Sequence, residues 1–75
     1  MAILSIDQGT TGTTCMIYDR TGVVLARAYR ELTQCYPQAG WVEHDPEQIW
    51  RTVLECVVEV RGACSEPVEA VGITN

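Results

Sequence analysis

The chain has 75 residues and a mass of 8.3 kDa, so it forms at most one domain, near the smallest size at which an apolar core sustains a fold. Ten acidic residues and five arginines give a net charge of −5, which argues against binding to a nucleic-acid backbone. The sequence contains no lysine, which excludes a Walker-type phosphate loop and a Schiff-base mechanism within these residues. The hydrophobic content of 47% is typical of a globular protein.

The N-terminal residues indicate the cellular compartment in which the protein is expected. The first residues lack basic side chains, their apolar run is too short for a signal peptide, and no run is long enough to span a bilayer. We therefore expect a cytoplasmic protein without membrane association.

The four cysteines form no C-x-x-C pair, so we predict that they are small buried apolar residues rather than parts of a zinc site or a disulfide framework. They are Cys15, Cys35, Cys56 and Cys64.

The first half of the chain predicts three strands joined by two tight turns. Residues 2–6 are a nearly continuous apolar run, which predicts a strand buried on both faces. Residues 13–18 and 23–31 predict two further strands. A turn signal at residues 19–22 ends on a glycine that is able to adopt a positive φ, and two glycines frame the connection at residues 9–12. Two consecutive hairpins follow from this spacing.

The second half predicts a helix and a fourth strand. After an irregular segment, Asp45 is a good N-cap, Pro46 suits the first helical position, and Gln48 lies where a capping box places its partner. Gly62 predicts the C-terminal cap. Six apolar residues at helical spacing predict the buried face. They are Ile49, Trp50, Val53, Leu54, Val57 and Val58.

Residues 68–74 read as the last strand, which makes the order β-β-β-α-β and the fold class α/β, a mixed sheet with one packed helix. The helix returns the chain, so the last strand is expected to lie parallel to the first. Asp7 and Asn75 would then meet at one edge of the sheet, where open α/β sheets form ligand crevices. Because the chain ends on a strand of the sheet interior, we expect it to be the N-terminal part of a longer protein.

The stretch Asp7-Gln8-Gly9-Thr10-Thr11-Gly12 carries the chemistry. Gly9 and Gly12 allow unusual backbone dihedrals and close approach of a ligand, and consecutive turn amides bind anions. The Thr10 and Thr11 hydroxyls add donors for phosphate oxygens, while Asp7 offers a hard oxygen ligand for Mg²⁺. The alternative is a tight hairpin with polar tips and no ligand. Farther on, Glu43 and His44 are read as a solvated loop in preference to an acid/base pair.

Four stretches together resemble one protein family. They are Ile6-Asp7-Gln8-Gly9-Thr10-Thr11, Tyr18-Asp19-Arg20-Thr21-Gly22, Gly40-Trp41-Val42-Glu43-His44-Asp45-Pro46 with Ile49-Trp50, and Val71-Gly72-Ile73-Thr74-Asn75. They resemble the start of the glycerol kinases, within the FGGY family of carbohydrate kinases. The resemblance covers essentially the whole chain. It implies a ribonuclease H-like fold, shared with actin and the heat-shock ATPases, and it places residues 1–75 in the N-terminal part of the first kinase domain.

The resemblance further implies ATP-dependent phosphorylation of glycerol to sn-glycerol 3-phosphate, with ATP and Mg²⁺ as cofactors. Asp7 would be the metal-associated carboxylate, Thr10 would contact nucleotide and product phosphate, and Thr11 and Gly12 would bind the nucleotide. The general base and the residues that grip glycerol would lie beyond these 75 residues, so the chain alone would be inactive. For the longer protein it implies a homo-oligomer. A related pentulose kinase and an actin-like or chaperone-like ATPase remain as alternatives.

Two positions depart from that family. Glycerol kinases commonly carry serine where this chain has Gly12, and often an arginine that holds the nucleotide where it has Thr14. A backbone amide remains at residue 12, but one hydroxyl and one charged phosphate contact are absent from these positions. A charge-assisted contact of this kind contributes roughly 1.5–3 kcal/mol, so the departures bear on nucleotide affinity.

Overall fold

A computed structural model describes residues 1–33 and 44–75. It contains the strands β1 (Ala2–Gln8), β2 (Gly12–Asp19) and β3 (Val24–Glu31), the helix α1 (Pro46–Ala63), and the strand β4 (Val68–Thr74). The predicted order of elements is confirmed. The irregular segment expected at residues 32–42 lies largely outside the described residues, and so does Glu43.

The four strands form one sheet in the order β3-β2-β1-β4. β2 is antiparallel to both of its neighbours, whereas β1 and β4 are parallel, as the helical return of the chain predicts. Asp7 pairs with Thr14 on β2 and with Thr74 on β4. The carboxyl ends of β1 and β4 therefore meet at one edge, which places Asp7 beside the residue that precedes Asn75.

The core lies between one face of the sheet and α1, which packs over β2 and β3 and touches β1 less. Its buried apolar members are Ala2, Leu4, Ile6, Cys15, Ile17, Ala26, Ala28, Cys56 and Val60. The expectation that β1 is buried on both faces is wrong for this chain: its side chains alternate between faces, and Ile3 on the uncovered face is 39% exposed. The helix covers only one of the two faces.

The start of α1 follows the sequence closely. Asp45 is the N-cap, its carboxylate accepts the Glu47 amide proton at 3.0 Å, and Pro46 opens the helix. Gln48 does not complete a capping box, since its side-chain amide donates instead to the Thr33 hydroxyl at 3.1 Å. This bond ties the first helical turn to the segment after β3.

The end of α1 and its buried face differ from expectation. The helix continues through Gly62 to Ala63, with its C-cap at Cys64, so the predicted glycine cap is wrong. The buried stripe is Thr52, Cys56 and Val60. The predicted apolar face is correct in part, because Val53 and Val57 are partly buried and pack against the core. It is wrong for Trp50, which is 62% exposed, since the helix is rotated to turn Thr52, Cys56 and Val60 most directly toward the strands.

β4 lies beyond the reach of the helix. Val71 and Ile73 pair with Leu4 and Ile6 and so share their face of the sheet, but α1 makes no contact with β4. Ile73 is consequently 74% exposed. Within the described residues, no helix is long and apolar enough to cross a membrane.

The turn between β2 and β3 is held by its own polar groups. The Asp19 carboxylate accepts hydrogen bonds from the Thr21 amide at 2.9 Å, the Thr21 hydroxyl at 2.7 Å and the Val23 amide at 3.0 Å. These bonds, led by that from the Thr21 side chain, lower the pKa of Asp19. Gly22 has a φ of 89°, which confirms the prediction that glycine is needed there.

Two cysteines lie in the core, as predicted for small apolar residues. Cys15 and Cys56 are buried free thiols on facing elements, and the Cys56 thiol donates to the Thr13 carbonyl at 3.5 Å. Burial, and then the neighbouring Cys56, raise the pKa of Cys15 to about 11, so its thiol is protonated at neutral pH. Cys64 is half-buried, while Cys35 lies outside the described residues.

Candidate functional site

The connection between β1 and β2 forms a tight turn at the carboxyl edge of β1. The Gly9 amide donates to the Gly12 carbonyl at 2.8 Å, which closes the turn. The Leu32 amide donates to the Thr11 carbonyl at 2.9 Å and anchors the turn to the segment after β3. Thr10, Thr11 and Gly9 remain exposed. Backbone hydrogen bonds thus hold the turn in place, while its two consecutive threonines are exposed.

The two glycines of this turn have different reasons to be there. Among the described residues only Gly22 has a positive φ, so the expectation of unusual dihedrals at Gly9 and Gly12 is wrong. A Cβ on Gly12 would lie 2.5 Å from the Arg30 carbonyl and 2.6 Å from the Tyr29 ring, so close packing against β3 requires glycine there. A Cβ on Gly9 would meet only the Gly12 carbonyl, at an ordinary 3.6 Å. The described fold does not require glycine at residue 9, and its absent side chain leaves the backbone open to a ligand.

Asp7 lies next to this turn, on the face of the sheet that α1 does not cover. Its side chain is exposed between the threonines that pair with it on β2 and β4, and it borders an open groove of about 370 Å³. Among the described residues, no group of three or more His, Cys, Asp or Glu side chains comes together to hold a metal ion. A single carboxylate still suits Mg²⁺, which keeps several waters and is commonly held by one or two carboxylates with phosphate oxygens.

A second cavity lies on the other side of the same edge. It has a volume of about 250 Å³ and is lined by Gln8, Gly9, Thr10, His44 and Asn75. Gln8 follows Asp7 directly in β1, so the two side chains point to opposite faces. The structure therefore gathers the predicted site residues at one edge but divides them: Asp7 borders the open groove, whereas Thr10 borders the second cavity.

His44, which the sequence predicts to lie in a solvated loop, lines this second cavity. Its Nε2 atom is buried and has no hydrogen-bond partner in the part of the chain that the structure describes. The sequence favours a solvated loop here because a lone histidine before a helix cap carries no spacing signal. Only the return of the chain, which brings the start of α1 to the β1–β2 turn, places His44 at this cavity.

These features are typical of a class of protein with the actin-like ATPase fold. The class has a mixed sheet, and in this chain a polar, lysine-free turn lies at the edge where β1 and β4 end. Residues 2–75 match the family model described as "FGGY family of carbohydrate kinases, N-terminal domain". The chain belongs to the FGGY family of carbohydrate kinases.

Individual relatives agree with this assignment. A glycerol kinase from Gloeobacter violaceus is 51% identical over 74 residues, which cover 99% of this chain and 15% of the relative. A xylulose kinase from Rhodospirillum rubrum superposes with a TM-score of 0.92 at 25% identity, covering 97% of this chain and 16% of that one. Plasmodium falciparum glycerol kinase, solved with ADP, gives a TM-score of 0.86 at 29% identity, over 99% of this chain and 16% of that one. The chain thus spans about 15% of the length of the curated relatives that it matches.

Proposed function

We propose that this chain is the phosphate-binding part of a kinase that transfers the γ-phosphoryl group of ATP to glycerol, giving sn-glycerol 3-phosphate. The observation that carries the proposal is the edge itself: Asp7 lies at the paired ends of β1 and β4, beside an exposed Thr10-Thr11 turn whose Gly9 the fold does not require. Phosphoryl transfer depends mainly on positioning and on charge neutralisation, and this edge offers groups for both.

Each residue of the edge has a distinct part in this proposal. Asp7 would hold Mg²⁺, directly or through its waters, and the ion supplies positive charge against the phosphate oxygens. The Thr10 hydroxyl would donate to the transferred phosphoryl group and to the product phosphate. Thr11 and the Gly12 amide would donate to the nucleotide phosphates. Within these residues, which contain no lysine, the threonines and the Gly12 amide would supply neutral hydrogen-bond donors, and the metal ion would supply positive charge.

The domain assignment belongs to the same proposal. We place residues 1–75 in the N-terminal part of the first domain of a longer kinase, which would supply the general base and the groups that grip glycerol. Support comes from the 15% coverage of the relatives and from exposed apolar side chains such as Val58, at 71%, and Ile73, at 74%. The likeness to glycerol kinases is also the support for a homo-oligomeric enzyme in the cytoplasm.

The decisive experiment measures phosphorylation by the full-length protein with ATP and Mg²⁺. Glycerol, xylulose and erythritol are offered as competing acceptors, and the products are identified by ³¹P NMR and mass spectrometry. We expect glycerol to have the highest kcat/KM. Preference for xylulose would support the pentulose-kinase alternative. ATP hydrolysis that no acceptor stimulates would support the ATPase alternative instead.

The 75-residue chain alone tests the domain assignment. We expect it to self-associate in sedimentation and to phosphorylate nothing, because the described residues expose large apolar side chains and most of the proposed catalytic groups would lie elsewhere in the longer protein. A monomer with a sharp thermal transition would contradict the expected self-association.

A further inference from the structure

Of the tyrosines that the structure describes, Tyr29 lies nearer to the proposed phosphate turn. It lies on β3 directly opposite Thr14, which in turn pairs with Asp7, so the three side chains share the uncovered face of the sheet. The Tyr29 hydroxyl donates to the Thr11 carbonyl at 3.4 Å, which is long for an O–H···O bond. That carbonyl already accepts the Leu32 amide at 2.9 Å. The side chain as a whole is 43% exposed, so part of it is open to solvent on this face of the sheet.

The position of Tyr29 is linked to the glycine at residue 12. A Cβ built on Gly12 would have the Tyr29 hydroxyl oxygen as its nearest neighbour, with the ring carbon that bears the hydroxyl 2.6 Å away. The hydroxyl therefore occupies the space that a side chain on residue 12 would enter. A polar group is present at this point of the turn, but it comes from β3 and not from the turn itself.

A hydrogen-bond donor on this face would suit a polyphosphate. Phosphate oxygens only accept hydrogen bonds, so a phosphate site must be lined by donors or metal ions. Arg30, the next residue along β3, is turned to the opposite face, where its guanidinium pairs with Glu59 at 2.6 Å. Thr14, opposite Tyr29, carries a short neutral side chain. Tyr29 is thus well placed to add a donor beside the turn.

We propose that Tyr29 is a nucleotide-binding residue, whose hydroxyl donates a hydrogen bond to a phosphate oxygen of a nucleoside di- or triphosphate held at residues 10–12. This inference rests on the proposed function, because it places the nucleotide phosphates at that turn. The phosphate contact would thus come from a β3 side chain, because Gly12 has no side chain and that of Thr14 is short and neutral.

The test compares Tyr29→Phe with Tyr18→Phe in the full-length protein. Both variants remove one hydroxyl and keep the ring, but the Tyr18 hydroxyl donates to the Met16 sulfur at 3.5 Å, away from the turn. Binding of MgATP and MgADP is measured by calorimetric titration, with the KM for the acceptor and Tm in parallel. A hydrogen bond to a charged group corresponds to a roughly tenfold or larger change in Kd. We therefore expect about that loss of nucleotide affinity for Tyr29→Phe, with acceptor KM and Tm unchanged, and no loss for Tyr18→Phe.

The outcomes separate this inference from the proposed function. If the unmodified protein binds no MgATP, the proposed function fails and the inference fails with it. If it binds MgATP and Tyr29→Phe keeps its affinity within about twofold, only the inference is overturned. A loss of affinity accompanied by an equal loss in Tyr18→Phe, or by a fall in Tm, would indicate a structural role and would also overturn it.

Discussion

The two hairpin turns of this chain have similar compositions but differ in how their polar side chains are hydrogen-bonded. Both combine an aspartate, at least one threonine and a glycine within a few residues. In the β2–β3 turn the Asp19 carboxylate accepts three hydrogen bonds from the turn itself, and Gly22 takes the positive φ that the reversal needs. The aspartate of this turn is thus satisfied within the turn, and the Arg20 side chain pairs with Glu69 on β4 at 2.9 Å.

The β1–β2 turn keeps its polar groups open. Thr10 and Thr11 face outward, Asp7 lies exposed between two threonines of the adjacent strands, and Gly9 adopts a conformation open to any residue. Under the proposed function, this contrast separates a structural turn from a binding turn that uses the same residue types. The Asp19 carboxylate accepts hydrogen bonds from its own turn, whereas the exposed Asp7 carboxylate would be free to hold a metal ion.

The sharpest test of this contrast exchanges the two aspartates, one at a time, for alanine in the full-length protein. Asp7→Ala is expected to lower turnover by about a hundredfold or more, because metal-assisted charge stabilisation contributes several kcal/mol. Its Tm should change little, since the Asp7 side chain is exposed. Asp19→Ala should lower Tm and leave kcat unchanged. Steady-state kinetics and thermal unfolding of both variants provide the measurement.

Asp19→Ala serves as the control for Asp7→Ala, because each variant removes one aspartate from a hairpin region. Near-normal turnover in Asp7→Ala would contradict the metal role, whatever its stability. An equal loss of turnover in both variants would mean that the two turns do not differ in the way proposed.

A second test uses the two glycines of the β1–β2 turn. Gly12→Ala should destabilise the protein by about 1–3 kcal/mol, because its Cβ would overpack against the β3 backbone. The Arg30 carbonyl, 2.5 Å from that Cβ, cannot swing away as a side chain could. Gly9→Ala should leave the free energy of unfolding almost unchanged and should weaken MgATP binding instead. Urea unfolding and nucleotide titration distinguish the two, and a large destabilisation by Gly9→Ala would contradict the assignment of Gly9 to a ligand.

Local sequence signals were sufficient to predict the strands, the start of the helix and two of the candidate site residues. β-branched residues marked the strands, Asp45 and Pro46 marked the start of the helix, and Asp7 with Thr10 marked the edge. Each of these signals acts over a few neighbouring residues, so it is legible in the sequence. The family resemblance added the fold, which matching relatives confirm.

What could not be predicted depends on how distant elements meet. Trp50 was expected in the core, but the rotation of α1 over β2 and β3 buries Thr52 and Cys56 instead. His44 and Tyr29 come to the turn through the chain return and through strand register, and neither carries a local pattern. Contacts of this kind are set by tertiary packing, which overrides the periodicity of a single helix or strand.

A third, smaller effect concerns the glycine of the structural turn. Gly22→Ala should cost about 1–2 kcal/mol, because an L-residue is strained at positive φ. Gly62→Ala is the matched control: it adds the same methyl group within the last turn of α1, where nothing lies within 4 Å of the new Cβ. There alanine should stabilise by up to about 1 kcal/mol. Opposite signs in urea unfolding confirm the reasoning, and destabilisation by both would contradict it.

The smallest effect is a dependence on pH in the same turn. The hydrogen bonds from Thr21 and Val23 lower the pKa of Asp19 in the folded state, so its ionised form favours folding. This contribution is present above the ordinary aspartate pKa of about 3.9 and is lost as pH falls through the lower pKa of the folded state. Asp19→Asn cannot ionise, so its deficit in stability relative to the unmodified protein should be constant near neutrality and should shrink in acid. Urea midpoints measured from pH 7 downward test this, and a deficit that stays constant to the lowest pH would show that the Asp19 charge contributes nothing to the turn.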